Sequence, residues 1–167
     1  MKLLLPFLAL ALFLTSCSQG EKPKEGEPEP AQPESHNEWS KNATIYEVNI
    51  RQHTSEGTLK AFESDIPRLK EMGIKILWLM PVHPIGEKNR KGGKGSYYSV
   101  KDYKAVNPEF GTMEDFKALV QTAHQYDMKV IIDWVANHTA FDNVWTETNM
   151  EYYNLDSLGK LQPPEGT

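Results

Sequence analysis

Residues Lys129–Thr139 read "KVIIDWVANHT". An apolar run of strand length stops on an acid, Asp133, and the amide Asn137 and imidazole His138 follow within one short turn of chain. A nearly unbroken apolar run fits a strand covered on both faces. In parallel α/β folds the carboxyl end of such a strand is where polar groups gather for chemistry. Whether Asp133 occupies such an end depends on the segments upstream.

Two further strand candidates precede it. "IKILWLMP", Ile74–Pro81, is a second apolar run, and the mix of β-branched and aromatic residues in "ATIYEVNIRQ" predicts a strand over Thr44–Ile50. Between them Leu59, Phe62, Ile66 and Leu69 recur at helical spacing, and Gly73 falls where a helix end favours positive φ. Pro67 predicts a break there, with Ser64 or Asp65 capping a second short helix whose first turn tolerates proline. Downstream, Thr112 is placed to cap a helix with Asp115 reaching back, and Met113, Phe116, Leu119, Val120 and Ala123 line one face. Strand, helix, strand, helix, strand implies a parallel sheet with right-handed crossovers, either open and doubly wound or closed as a (β/α) barrel. In both, Asp133 sits at the functional end.

The flanks differ in character. "MKLLLPFLALALFLTSC" has one cation at Lys2, an apolar run from Leu3 to Leu14, then small polar residues, the layout of an export signal. The run is too short to span a bilayer, which needs roughly 20 residues. "LTSC", Leu14–Cys17, resembles the lipobox of bacterial lipoproteins, which implies cleavage before Cys17 and diacylglycerol on its sulfur. The chain has 1 cysteine, so no intramolecular disulfide forms; a lone free thiol is the alternative to an anchor. The next stretch, rich in Glu, Pro, Gly and Lys, cannot bury enough apolar surface to order itself and reads as an extended tether. The expected organisation is a signal peptide over 1–16, a tether over 17–40, folded (β/α) units over 41–139, and an aperiodic insertion over 140–167. Such a long polar and aromatic loop is usually functional. With a formal net charge of −5 and scattered lysines, nothing favours nucleic acid.

Several motifs fail on inspection. In "GEKNRKGGKGS" the Gly93-Lys94 pair is followed by Gly95, and Lys88 stands where a Walker loop needs glycine. Gly93-x-Gly95 opens no helix, so it is no dinucleotide fingerprint; the segment is a loop after the second strand. Zinc is disfavoured because no second histidine lies at helical spacing from His138, while calcium through an oxygen ligand such as Asn137 stays open. Asn42 and Asn137 both begin glycosylation sequons, which a lipobox-bearing bacterial protein leaves unread.

Taken together, "IYEVNIRQ", "GIKILWLMPVHPIG" and "SYYSVKDYKAVNPEFGTMEDFKALVQTAHQYDMKVIIDWVANHT" resemble the first third of an α-amylase family glycoside hydrolase. The specific signals are Asp-x-x-x-Asn-His at Asp133–His138 and Tyr-x-x-x-Asp-Tyr at Tyr98–Tyr103, followed by Asn-Pro-Glu-Phe-Gly-Thr. The resemblance implies a (β/α)8 TIM barrel acting on α-glucans or malto-oligosaccharides with retention of configuration, with the first three βα units in this chain. It implies that Asp133 holds an arginine beside the nucleophile. Asn137 would brace the loop or bind calcium, His138 would donate to the sugar in the cleavage subsite, and Tyr98 would stack on it. Retaining hydrolysis needs two carboxyls about 5–5.5 Å apart. The family draws them from its fourth and fifth strands, with a third acid after the seventh, so neither Glu47 nor Asp102 is assigned a catalytic role. The expectation is a lipid-anchored, exported bacterial glycosidase, periplasmic or at the cell surface, whose catalytic acids lie beyond Thr167, and a polypeptide that alone cleaves nothing. Two alternatives share the site residues: a non-catalytic glucan-binding surface lipoprotein, and a transglycosylase or isomerase of the same family.

Overall fold

The computed structural model of the protein describes residues 36–163. The expected signal peptide, the lipidation site Cys17 and most of the tether lie outside the described residues. Three strands, β1 (Ile45–Val48), β2 (Ile76–Leu79) and β3 (Lys129–Ile132), form one sheet in the order β1-β2-β3, and both pairings are parallel. Between β1 and β2 run three short helices, α1 (Ile50–His53), α2 (Leu59–Glu63) and α3 (Ile66–Glu71). A long loop and helix α4 (Met113–Gln125) connect β2 to β3. After β3 come a one-turn helix α5 (Trp145–Thr148) and a 3-10 turn at Met150–Tyr152, so the insertion has short elements of its own. Among the described residues no helix is long and apolar enough to cross a membrane.

The periodic apolar residues build the core as their spacing predicts. Leu59, Phe62, Ile66, Leu69, Leu119 and Ala123 are fully buried against Leu77 and Leu79 of the central strand. Thr122 Oγ1 also donates to Glu63 Oε1 at 2.6 Å, tying α4 to α2. The capping box expected at Thr112 and Asp115 is present in both directions.

Three local expectations need correction. The first strand ends at Val48 rather than Ile50, because Asn49 O accepts from Gln52 N and His53 N and opens α1. Ile50 is buried in α1, and an apolar residue marks burial without separating strand from helix. The second strand begins at Ile76 rather than Ile74. Gly73 has φ +84°, Gly73 N donates to Lys70 O and Ile74 N donates to Leu69 O, a Schellman closure that keeps Ile74 with α3. The break at Pro67 occurs and Asp65 takes the N-cap position of the helix that follows, but its side chain makes no cap hydrogen bond. The Asp65 carboxylate instead accepts from Arg68 and lies 2.8 Å from His53 Nε2.

Register fixes which face carries the site. Glu47, Trp78 and Ile131 are matched partners across the three strands, and side chains two apart along a strand share a face. Asp133 therefore continues the row of Glu47, Trp78 and Ile131. The alternate rows hold the buried Leu77 and Leu79, and Ile131 is 45% exposed, so Asp133 belongs to the open face of the sheet.

Candidate functional site

Asp133 is held by the ladder itself. Its N–H donates to Leu79 O at 2.8 Å, one step beyond the last residue of β3, so the carboxylate projects from the carboxyl end of the strand. Tyr98 meets it there: the phenol donates to Asp133 Oδ2 at 2.9 Å. That hydrogen bond, burial and the negative charges of Asp133 and Glu47 raise the Tyr98 pKa above its ordinary value, which keeps the phenol a donor. Tyr98 arrives from the β2–α4 loop, whose base is pinned by the Ile85↔Val100 antiparallel bridge.

The turn after Asp133 presents Asn137 and His138 to a cleft of about 690 Å³. Both are exposed, and Asn137 Nδ2 lies 3.4 Å from His138 Nδ1. An amide donating to Nδ1 leaves the proton of a neutral ring on Nε2, which can then donate to a ligand hydroxyl. Tyr98, Tyr103, Trp134, Trp145 and Tyr152 supply aromatic surface around the same cleft. Among the described residues no Asp or Glu lines it. Tyr98, Asn137 and His138 thus line one cavity, and Asp133 stands behind Tyr98 as its acceptor.

Three contributors were not singled out from the sequence. Tyr103 is the second tyrosine of the Tyr-x-x-x-Asp-Tyr motif, and its hydroxyl is within hydrogen-bond reach of the carbonyls of Val135 and His138. Its ring stacks on Trp145 and meets the edge of His83. Trp134, 74% exposed, stands on the rim. Asp142 lies in the insertion, where its Oδ2 accepts from the N–H groups of Glu87 and Lys88. Tyr103 had its motif position as a signal; Trp134 closes the apolar run Lys129–Trp134, which predicts a strand to Trp134 where β3 ends at Ile132, and Asp142 sits in a segment without periodicity. Asp102 Oδ1 accepts from Lys104 N at 2.8 Å, closing a turn.

A calcium ion takes 6–8 oxygen ligands. Among the described residues no group of three or more His, Cys, Asp or Glu side chains converges, and Asn137 contributes a single amide oxygen. The residues present do not by themselves make a calcium site.

Residues 30–160 match the family model described as alpha amylase, catalytic domain. Alpha-amylase 3 of Dictyoglomus thermophilum is 36% identical over 123 residues, covering 70% of this chain and 23% of that protein. Trehalose-6-phosphate hydrolase of Bacillus subtilis is 33% identical over 112 residues, covering 64% of this chain and 19% of its own length. Among solved structures, an alpha-amylase from Lactobacillus plantarum superposes with a TM-score of 0.72 at 45% identity, covering 75% of this chain and 30% of that one. The chain thus spans less than a third of each of these relatives. Because the family model matches most of its length, and the strand-end acid, amide and imidazole fall inside that match, this chain belongs to the α-amylase catalytic-domain family.

Proposed function

We propose that this chain supplies the sugar-gripping part of a glycoside hydrolase that cleaves α-glucosidic bonds in starch-like or malto-oligosaccharide substrates with retention of configuration. The observation that carries the reading is the Tyr98–Asp133 hydrogen bond at the mouth of β3, with His138 opening onto the adjoining cleft. Cleaving a glycosidic bond develops an oxocarbenium-like cation, which polar groups gripping hydroxyls and an aromatic face beside the ring stabilise. The His138 imidazole, exposed on this cleft, is placed to donate to a sugar hydroxyl. Asp133 holds Tyr98 in place and contributes negative potential on the open face.

The reaction also needs two carboxyls about 5–5.5 Å apart. In this reading they come from the fourth and fifth strands of a closed (β/α)8 barrel, and the polypeptide described here binds glucan without cutting it. Cys17 carries a lipid anchor that holds the exported protein on a bacterial membrane, a reading supported by the apolar run that precedes it and the polar, Glu- and Pro-rich sequence that follows. Titration of the purified chain with maltotriose tests the site: His138→Ala abolishes binding if the reading is right, and unchanged affinity refutes it. Release of reducing ends from starch by residues 17–167 alone would refute the assignment of the missing acids.

A second reading, glucan binding without hydrolysis, is favoured by one feature: aromatic faces at Trp134 and Tyr152, 74% and 65% exposed, around a cleft that no described carboxylate lines. A barrel completed by strands lacking acids at their carboxyl ends would bind malto-oligosaccharide with no release of reducing ends.

A further inference from the structure

The cleft has two walls that come from different parts of the chain. One is the loop after β2, where Lys88, Asn89, Arg90 and Lys91 face the cavity; the other is the turn and insertion after β3. The base of the first wall is fixed by Gly86 N donating to Ser99 O at 2.8 Å and Lys101 N donating to Pro84 O at 2.8 Å. Those bonds stop at Gly86. Beyond it, the N–H groups of Glu87 and Lys88 both point at one acceptor in the other wall, Asp142 Oδ2, at 2.9 and 3.3 Å. Gly86 permits that approach. A Cβ there would collide with Ala140 Cβ and lie 2.6 Å from Asp142 Oδ1. Asp142 Oδ1 is buried and accepts no hydrogen bond, so Oδ2 makes the hydrogen bonds of this carboxylate to the loop.

Further along the loop, Lys94 Nζ pairs with Glu109 Oε1 at 2.9 Å. Arg90 folds back on the loop, with Nε donating to Gly86 O at 2.8 Å and Nη2 to Ile85 O at 3.0 Å. Lys101 Nζ bridges Glu87 Oε1 at 3.1 Å and Asp142 at 3.7 Å, an exposed and solvent-screened contribution worth little by comparison. Asp142 itself is held in place from behind: Asn143, 1% exposed, donates through Nδ2 to Val100 O, and Ala140 N donates to the same carbonyl.

We infer that Asp142 is a positioning residue whose carboxylate latches the β2–α4 loop to the insertion after β3 and thereby fixes the width of the sugar cleft. This deepens the proposed function, on which it rests for the identity of the ligand. A carboxylate accepting two backbone N–H groups is a strong, directional clamp. Losing it leaves two donors unpaired and frees the wall that carries Lys88 and Lys91, while the sheet beneath is untouched.

The test compares Asp142→Ala, Asp142→Asn and Lys101→Met by maltotriose titration and by amide hydrogen exchange. Asp142→Ala is expected to accelerate exchange at Glu87 and Lys88 and to weaken maltotriose by about tenfold, the loss of one charge-assisted clamp. Exchange at Asp133, whose N–H belongs to the sheet ladder, stays unchanged. Asp142→Asn keeps an acceptor oxygen and stays within about threefold of the parent, as does Lys101→Met. Parent-like maltotriose affinity in Asp142→Ala overturns the inference. So does an Asp142→Asn protein that is as weak as Asp142→Ala with Asp133 exchange also accelerated, because that pattern marks general destabilisation. Should the parent bind no maltotriose, the proposed function fails, and exchange at Glu87 and Lys88 alone decides the latch: accelerated in Asp142→Ala upholds it, unchanged refutes it.

Discussion

Tyr103 lies nearly parallel to Trp145, with ring centroids 5.2 Å apart and planes inclined at 25°, and its hydroxyl reaches the backbone carbonyls of Val135 and His138. The loop after β2 thus braces the turn after β3 by stacking at one end and by hydrogen bonding at the other. The residue it holds is the one that presents an imidazole to the cleft. Tyr103→Phe keeps the stack and removes the hydroxyl. The expected cost is about 1–2 kcal/mol of stability, the range for stranding partly buried carbonyls, with a further loss of maltotriose affinity because the His138 turn loosens. Urea denaturation and sugar titration on the same preparation check it; parent-like affinity would show that the turn holds itself.

Tyr98 and Asp133 make a second prediction. The phenol pKa is raised, first by the hydrogen bond to Asp133 and then by burial and by the charges of Asp133 and Glu47. A raised pKa means the folded state favours the protonated phenol, so this stabilisation is complete below the ordinary tyrosine value of about 10 and fades as pH rises through the folded value. Tyrosinate absorbance in an alkaline titration should show a late component that vanishes in Tyr98→Phe. Asp133→Asn should move that component toward the ordinary value without removing it. A titration in which Tyr98→Phe leaves the late component intact would place the raised pKa elsewhere, for example at Tyr103, which burial also pushes up.

The elements that the sequence made legible are those where one periodicity decides the outcome. Leu59, Phe62, Leu119 and Ala123 are buried because their spacing leaves them nowhere else to go, and Thr112 and Asp115 cap as their separation dictates. Ile50 and Ile74 were misplaced for a shared reason: each is apolar beside a strand, but backbone hydrogen bonding at Asn49 and Gly73 decides the conformation. Asn137 and His138 line one cleft, and with Asp133 they were visible in the sequence as polar residues closing an apolar run. Asp142 was not, since its partners are the N–H groups of Glu87 and Lys88, far away in sequence, and a backbone donor leaves no residue signature.

The C-terminus of α4 offers a test of backbone strain. Asp127 has φ +52°, in the left-handed region, with its N–H donating to His124 O and Met128 N donating to Ala123 O. This is the same Schellman closure that Gly73 makes after α3. An L-residue pays a steric penalty there that glycine avoids, partly offset by the larger entropy glycine loses on folding. Asp127→Gly should therefore stabilise the fold by roughly 0.5 kcal/mol, read as a higher urea midpoint with an unchanged slope. A lower midpoint would mean the Asp127 side chain contributes an interaction that outweighs the relief of strain.

Acid stability should report on Asp65. Its pKa is lowered to about 2, chiefly by the hydrogen bonds from Arg68, with a further contribution from His53. A lowered pKa means the folded state favours the carboxylate, so the stabilisation is fully present above the ordinary aspartate value of about 4 and is lost as pH falls toward 2. Arg68 anchors the start of α3 through this contact, and the carboxylate also meets His53 at the end of α1, whose ring packs edge-on against the buried Phe62 of α2. Asp65→Asn removes the charge that pairs with Arg68 and cannot titrate. At neutral pH the variant should unfold at lower urea than the parent, and between about pH 4 and pH 2 the gap between the two midpoints should narrow as the parent loses its advantage. A gap that stays constant across that interval would show that Asp65 stabilises the helices by packing or neutral hydrogen bonding rather than by its charge.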